Sequence, residues 1–335
     1  MESLLVLTLM IVFFSFAFDF INGFHDTANT IATSVSTRAL RPRIAIVLAG
    51  TMNFLGAITF TGVAQTISQG IIDPFTIHDE TKGLIIVMAA LITAILWNLM
   101  TWLLGIPSSS SHAIIGALAG AGVSALGFGA LNYHGFIEIF EALIISPFAA
   151  ITLGFIIMKL FTYLFHNFSL VNTNRRFRIL QVFTAAIQSF AHGTNDAQKT
   201  MGIITMALVA SKYLDKVEIP MWVRVASGFA MAMGTSIGGW RIIRTVGTKI
   251  MKIEPINGAA ADISSAAIIF GFTFIHFPVS TTHVITSSIL GVGSADRVKG
   301  VNWGVALNIV ITWIITLPLT ALFAFMIFRL LNWIL

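Results

Sequence analysis

Polar residues stand inside long apolar runs of this chain, and they stand there twice. Gly23-Phe-His-Asp-Thr-Ala-Asn-Thr30 is echoed by Gly193-Thr-Asn-Asp-Ala-Gln-Lys-Thr200, an offset of 193 − 23 = 170. Pro107-Ser-Ser-Ser-Ser-His112 is echoed by Pro278-Val-Ser-Thr-Thr-His283, an offset of 283 − 112 = 171. Asp, Asn and clustered hydroxyls are costly in hydrocarbon. The same clusters in both halves of a hydrophobic chain predict a pseudo-two-fold assembly with a polar site at its centre.

Composition sets the environment. The 335 residues are 56% apolar and only 10% charged, against about 25% charged in a soluble domain. So few charges cannot cover a water-facing surface, so most of the surface must face membrane lipid. The long unbroken runs argue for helices over a transmembrane barrel, whose strands alternate over about ten residues. There is no cysteine, which excludes a disulfide framework, a thiolate metal site and a Cys nucleophile. The net charge of +5 sits in loops, where it sets topology, and is not a nucleic-acid signal. The first run begins Met1-Glu2 without a basic leader, and so reads as a membrane segment rather than a cleaved signal.

Apolar runs lie near 4–36, 44–64, 83–104, 113–127, 138–165, 180–210, 221–240, 258–276, 284–293 and 301–334. A spanning helix needs about 20 residues. Runs 113–127 and 284–293 are short, and each follows a Pro-Ser/Thr-His cluster. Each is read as the returning arm of a re-entrant hairpin, whose broken backbone must be buried or line a cavity. Gly120, Gly122 and Pro147 recur as Gly291, Gly293 and Pro318 at offset 171. Residues 1–165 then form one repeat and 180–335 the other, joined by a basic linker at 166–179. Arg38, Arg41 and Arg43 make the first loop basic, whereas loop 65–82 carries Asp73, Asp79 and Glu80. In the second half, loop 211–219 is balanced and 241–254 is basic, with Arg241, Arg244, Lys249 and Lys252. Basic loops face the cytoplasm, so equivalent loops fall on opposite sides. The expectation is an all-α polytopic membrane protein with two inverted-topology repeats and paired re-entrant helical hairpins. Both termini are extracellular and the linker is cytoplasmic.

Pro107 and Pro278 each precede the start of a half-helix. Ser109, Ser110 and Ser111, and equally Ser280, Thr281 and Thr282, then sit at helix N-termini. Unpaired N–H groups and hydroxyls there suit an anion, although simple N-capping uses the same residues. Asp26 and Asp196 are mid-membrane carboxylates that make sense holding a cation or proton that enters with the anion. Asn29, Asn195 and Gln198 add hard oxygens suited to H⁺ or Na⁺, and Asp26 and Asp196 are the candidate metal ligands if sodium is the ion. Asn29 is matched by Lys199, whose ammonium either replaces a bound cation, contacts the anion or neutralises Asp196. This favours proton over sodium. His25, beside Asp26, can titrate near neutral pH; His112 and His283 either titrate or only cap and pack. A Ser111–His112–Asp26 hydrolase is disfavoured, because adjacent residues at a helix start point apart and no nucleophile elbow is present. No nucleotide-binding motif is found.

These residues resemble the inorganic phosphate transporter (PiT) family, in its bacterial low-affinity branch. The carriers of the resemblance are Asp19-Phe-Ile-Asn-Gly-Phe-His-Asp-Thr-Ala-Asn29, His192-Gly-Thr-Asn-Asp-Ala-Gln-Lys199 and the two Pro-x-Ser-Ser/Thr-Thr/Ser-His tips. The resemblance implies a homodimer in the cell membrane that imports inorganic phosphate, or a metal–phosphate complex, with a cation by alternating access. It implies no enzyme activity and no cofactor beyond the coupling ion. Asp26, Asn29, Asn195 and Asp196 would serve the cation and phosphate sites. Ser109 to Ser111 and Ser280 to Thr282 would hold phosphate, together with Lys199. A PhoU-like cytoplasmic accessory protein is a further partner that the basic linker would suit. The chain departs from the family signature at His25, Gln198 and Lys199. A sulfate–cation symporter and a phosphate-responsive channel or sensor are the alternatives.

Overall fold

The computed structural model describes residues 2–72 and 79–335. It is helical throughout, with no strand among the described residues. The first half comprises α1 (Glu2–His25), α2 (Thr27–Ser36), α3 (Pro42–Ala57), α4 (Gly62–Gly70), α5 (Glu80–Leu104), α6 (Ser110–Leu126) and α7 (Tyr133–Phe165). The second comprises α8 (Leu170–Ala210), α9 (Met221–Thr235), α10 (Trp240–Arg244), α11 (Pro255–Phe274), α12 (Thr281–Arg297) and α13 (Trp303–Ile334). Five spans are long and apolar enough to cross a membrane: α1 with α2, α5, α7, α11 and α13. Helices α3 and α4, bent by 70° at their junction, make a sixth if taken together. Large apolar side chains such as Phe13, Val47, Phe148 and Ile314 lie exposed on the outside. Such a surface belongs in lipid.

Local signals recur between the halves because the sequence repeats the residues that make them. Asn132 caps α7 by accepting from Gly135 N, and Asn302 caps α13 by accepting from Val305 N. The backbone N–H of Asn132 donates to Ile71 O, and that of Asn302 to Ile250 O. Helix α5 ends at Gly105 with φ +66°, and α11 ends beyond Ile275 at His276 with the same φ +66°. Gly105 and Ile106 bond back to Trp102 and Thr101, and His276 and Phe277 bond back to Thr273 and Phe272. Both are left-handed helix ends of the Schellman type. A glycine takes this conformation without steric cost, and a histidine takes it against one.

Packing follows the same exchange. Helix α6 lies on α13 and α12 on α7; α1 lies on α9 and α3 on α8. Every one of these contacts joins one half to the other, so neither half closes a core alone. Glycines permit the closest approaches. A Cβ on Gly120 would fall on the Ala321 carbonyl, and one on Gly291 would fall on the Ile151 carbonyl.

Several boundaries differ from those read in the sequence. Helix α12 continues past the apolar run through Ser294-Ala-Asp-Arg297. Residues 65–70 of the expected loop 65–82 belong to α4 instead of loop, while Asp73 lies outside the described residues. The basic stretch from Leu170 is the first turns of α8, and helix replaces free linker there because Ser169 to Arg178 contains no helix breaker. The basic stretch 241–254 holds α10 and a π-helical turn at Thr245–Lys249. Thr245 Oγ1 donates to Gly105 O at 3.0 Å, and in the other half Thr66 Oγ1 of α4 donates to His276 O at 2.7 Å. Each short helix thus latches the end of the long helix from the opposite half.

Replacing Gly120 or Gly291 by Val should lower the thermal unfolding midpoint in detergent, by an overpacking cost of about 1–3 kcal/mol. Gly271→Ala, where nothing lies within 4 Å, should leave the midpoint unchanged or raise it. Unchanged midpoints for both Val variants would disprove these close approaches.

Candidate functional site

The two hairpin tips meet inside the fold. Ser109 caps α6 by accepting from His112 N at 3.0 Å, and Ser280 caps α12 by accepting from His283 N at 3.3 Å. Capping turns the next hydroxyls inward. Ser111 Oγ donates across to Val279 O of the second tip at 2.9 Å. The His112 and His283 rings lie 4.5 Å apart, and Trp313 stacks on His283 at 3.9 Å. The Trp313 indole N–H donates to Pro107 O at 3.2 Å, so one side chain braces both tips. Residues 108–112 and 280–283 are all buried.

Asp26 joins the tips. Its Oδ2 accepts from Ser110 Oγ at 2.5 Å, and its Oδ1 accepts from Thr282 Oγ1 at 2.9 Å. His25 Nδ1 stands 2.7 Å from the same Oδ1, and its Nε2 faces Thr101 at 3.1 Å. Asn29 Nδ2 donates to Thr282 Oγ1 at 2.9 Å, while its Oδ1 has no partner. Asp26 lies at the junction of α1 and α2, where the backbone stays helical and the two run on as one span.

The second motif is built differently. Helix α8 runs unbroken through Asp196. Asp196 Oδ1 pairs with Lys199 Nζ at 2.6 Å, three residues along the same helix. Asp196 Oδ2 accepts from Thr281 Oγ1 at 3.2 Å and Asn22 Nδ2 at 3.3 Å, with His192 Nε2 at 3.3 Å. Lys199 is fully buried. Its ammonium therefore neutralises Asp196.

The sequence-derived residues divide by geometry. Asp26, His25, Asn29, Ser110 and Thr282 form one contact network, and Asp196, Lys199 and Thr281 a second beside the same tips. Asn195 clamps the second tip from behind, accepting from Val279 N at 3.1 Å and donating to Thr273 and Phe277 O. Ser109 and Ser280 spend their hydroxyls as caps. Gln198 turns away, accepting from Ala64 N at the start of α4 and donating to Thr194 O.

Two buried acids lay outside the motifs. Asp262 of α11 accepts from Thr33 at 2.7 Å and Thr184 at 2.9 Å. Asp19 of α1 is fully buried beside Thr200, Ser227, Asp196 and Lys199. An Asp within an apolar run was the available signal for both, and the doubling criterion passed over it. Neither residue has an Asp counterpart in the other half, where offsets of 171 and 170 give Leu91 and Ser189.

Helix N-termini with inward hydroxyls are an arrangement suited to an anion, and Asp26 accepts from one hydroxyl of each tip. The family model described as the phosphate transporter family matches residues 22–173 and 169–324. The chain belongs to the phosphate transporter family. It is 61% identical over 335 residues to a probable low-affinity inorganic phosphate transporter of Bacillus subtilis, covering 100% of both chains. It is 45% identical to a protein of the same description from Rhizobium meliloti, over 91% of this chain and 90% of that one. A solved structure titled "The sodium-dependent phosphate transporter" superposes with a TM-score of 0.91 at 26% identity, over 98% of this chain and 100% of that one. In this family member both doubled motifs converge on the hairpin tips.

Lys199→Met should leave a buried unpaired carboxylate, at a cost of about 3–5 kcal/mol. The double variant Lys199→Met with Asp196→Asn should recover most of that loss in thermal unfolding. If the double variant is no more stable than Lys199→Met, the two residues do not act as a pair.

Proposed function

We propose that this chain is a secondary active symporter that imports inorganic phosphate with a cation, the proton favoured over sodium, by alternating access in the cell membrane. The observation that carries the reading is the position of Asp26, bonded to Ser110 of one tip and Thr282 of the other. Phosphate entering between the tips would take these hydroxyls, together with the N–H groups of the α6 and α12 first turns. The displaced carboxylate would face the anion. That arrangement repels a bare anion, and it suits one that carries its own proton and donates it in a hydrogen bond. Phosphate retains such a proton at neutral pH and sulfate does not, which places phosphate ahead of sulfate.

Charge compensation supports coupling to a cation. Asp196 already holds Lys199 as a fixed cation, so one of the two motif sites has no place for sodium. The solved neighbour is sodium-dependent by its title. In this chain the ammonium argues for protons instead. His25, 2.7 Å from Asp26, is the hydrogen-bonding partner of the carboxylate at the remaining site. Ser110, Thr281 and Thr282 are the phosphate hydroxyls in this reading, and Asn29 offers its free Oδ1 to the ion.

The repeats are taken as inverted, 1–165 against 180–335, with the hairpins α5–α6 and α11–α12 re-entrant and both termini outside. The exchange of packing partners between halves supports a two-fold relation, and the loop charges support its direction. One part then moves against the rest to open the site to either side. The homodimer and the PhoU-like partner belong to the same reading and rest on the family resemblance.

Purified protein in proteoliposomes should accumulate labelled phosphate under an inward proton gradient, unaffected by excess sulfate. Accumulation only with sodium would keep the site and overturn the choice of ion. Asp26→Asn and Asp196→Asn should each abolish uphill uptake; full uptake by both would end the charge-compensation argument. Ser110→Ala with Thr281→Ala should weaken phosphate affinity about a hundredfold or more, since two charge-assisted hydrogen bonds are lost at about 1.5–3 kcal/mol each.

A further inference from the structure

One carboxylate beside the tips has no part in the reading above. Asp19 is fully buried, and the groups that approach its carboxylate as donors among the described residues are the Thr200 and Ser227 hydroxyls from α8 and α9. No Lys, Arg or His nitrogen pairs with it among the described residues. Around it stand unsatisfied groups, Asn22 Oδ1 one turn along α1 and Ser15 Oγ one turn before. Thr8, Ser15, Asp19, Asn22 and Asp26 follow one another at spacings of three, four and seven, so they share a single face of α1. All five are buried.

The facing charges are few. On α8 they are Asp196 and Lys199, already bonded to each other at 2.6 Å, with His192 at 3.3 Å from Asp196. Helix α9 offers Ser227, and its Arg224 donates to Ile219 O. Helix α5 carries none after Lys82, and α2 carries none beyond Asp26 at its start. While the His192 imidazole is neutral, Asp19, Asp196 and Lys199 together hold one uncompensated negative charge. An ionised carboxylate buried without a partner is among the costliest groups a protein can contain. A single proton removes that cost.

From this arrangement, and resting on the symport reading above, we propose that Asp19 is the proton-carrying residue of the transport cycle. The proton passes from water to the Asp19 carboxylate along the polar face of α1, and returns to water when the site opens to the other side. Protonated Asp19 has an acceptor one turn on, the free Asn22 Oδ1. Asn22 Nδ2 donates in turn to Asp196 Oδ2, which accepts from Thr281 of the second tip. Occupancy of Asp19 is thereby linked through two side chains to the surface that phosphate binds. Lys199 keeps Asp196 from taking the proton, so the two carboxylates divide the work: Asp196 holds the tip and Asp19 titrates.

The test uses the full-length protein with Asp19→Asn and Asp19→Glu. Asp19→Asn should continue to exchange labelled phosphate across proteoliposomes at equal pH. It should fail to accumulate phosphate above equilibrium under an inward proton gradient, with phosphate-dependent proton entry reduced at least tenfold. Asp19→Glu should restore both. The acid-minus-alkaline infrared spectrum of the purified protein should show a protonated-carboxyl C=O band that Asp19→Asn removes. Proton-driven accumulation by Asp19→Asn at the wild-type level overturns the proposal. So does loss of exchange in both variants, which would make Asp19 structural, and so does a wild-type spectrum without that band. Wild-type vesicles that fail to accumulate phosphate under a proton gradient would instead overturn the symport reading, and the infrared band then decides Asp19 independently.

Discussion

The contact on which the centre of this fold depends is Asp26 holding two hydroxyls from opposite halves of the chain. A carboxylate this deep is expensive, and here it is offset by Ser110, Thr282 and the neighbouring His25. Each donor stands at the first turn of a helix whose cap is made by the preceding serine. The cap fixes the helix start, the helix start fixes the hydroxyl, and the hydroxyl fixes the carboxylate. The bonds that join the two tips are thus made by the same groups that the proposed reading assigns to the substrate.

The second motif shows how a duplicated site loses its symmetry. Asp26 bonds to both tips, whereas Asp196 pairs with Lys199 three residues on. Asn stands in the first copy where Lys stands in the second, so only the second carboxylate has a lysine partner. Thr281 still contacts Asp196, so each tip keeps a carboxylate partner while the charge balance is one-sided.

Much of this was legible in the sequence, and the reasons are physical. Repeated polar clusters inside apolar runs had to be buried together, and the structure brings Ser110, Thr282, Asp26 and Asp196 to one place. The Pro-Ser/Thr-His segments had to break a helix and start another, and α6 and α12 begin within them. What could not be read was which hydroxyl would cap and which would face inward: Ser109 and Ser110 are chemically identical, and only three-dimensional helix phase separates them. Gln198 lies two residues from Asp196 and therefore points to a different helix face, where it caps α4. Asp19 and Asp262 escaped because they are not duplicated, although their cost in hydrocarbon is the same as that of Asp26.

The latches beside the hairpin tips carry a consequence of their own. In one half Thr66 latches His276 from a regular α-helical turn; in the other Thr245 latches Gly105 from the start of a π-helical turn. A π turn is a rare winding. The glycine it holds is also free of the steric cost that His276 bears. Two catches that match in place and in hydrogen bond thus differ in what it costs the chain to hold them.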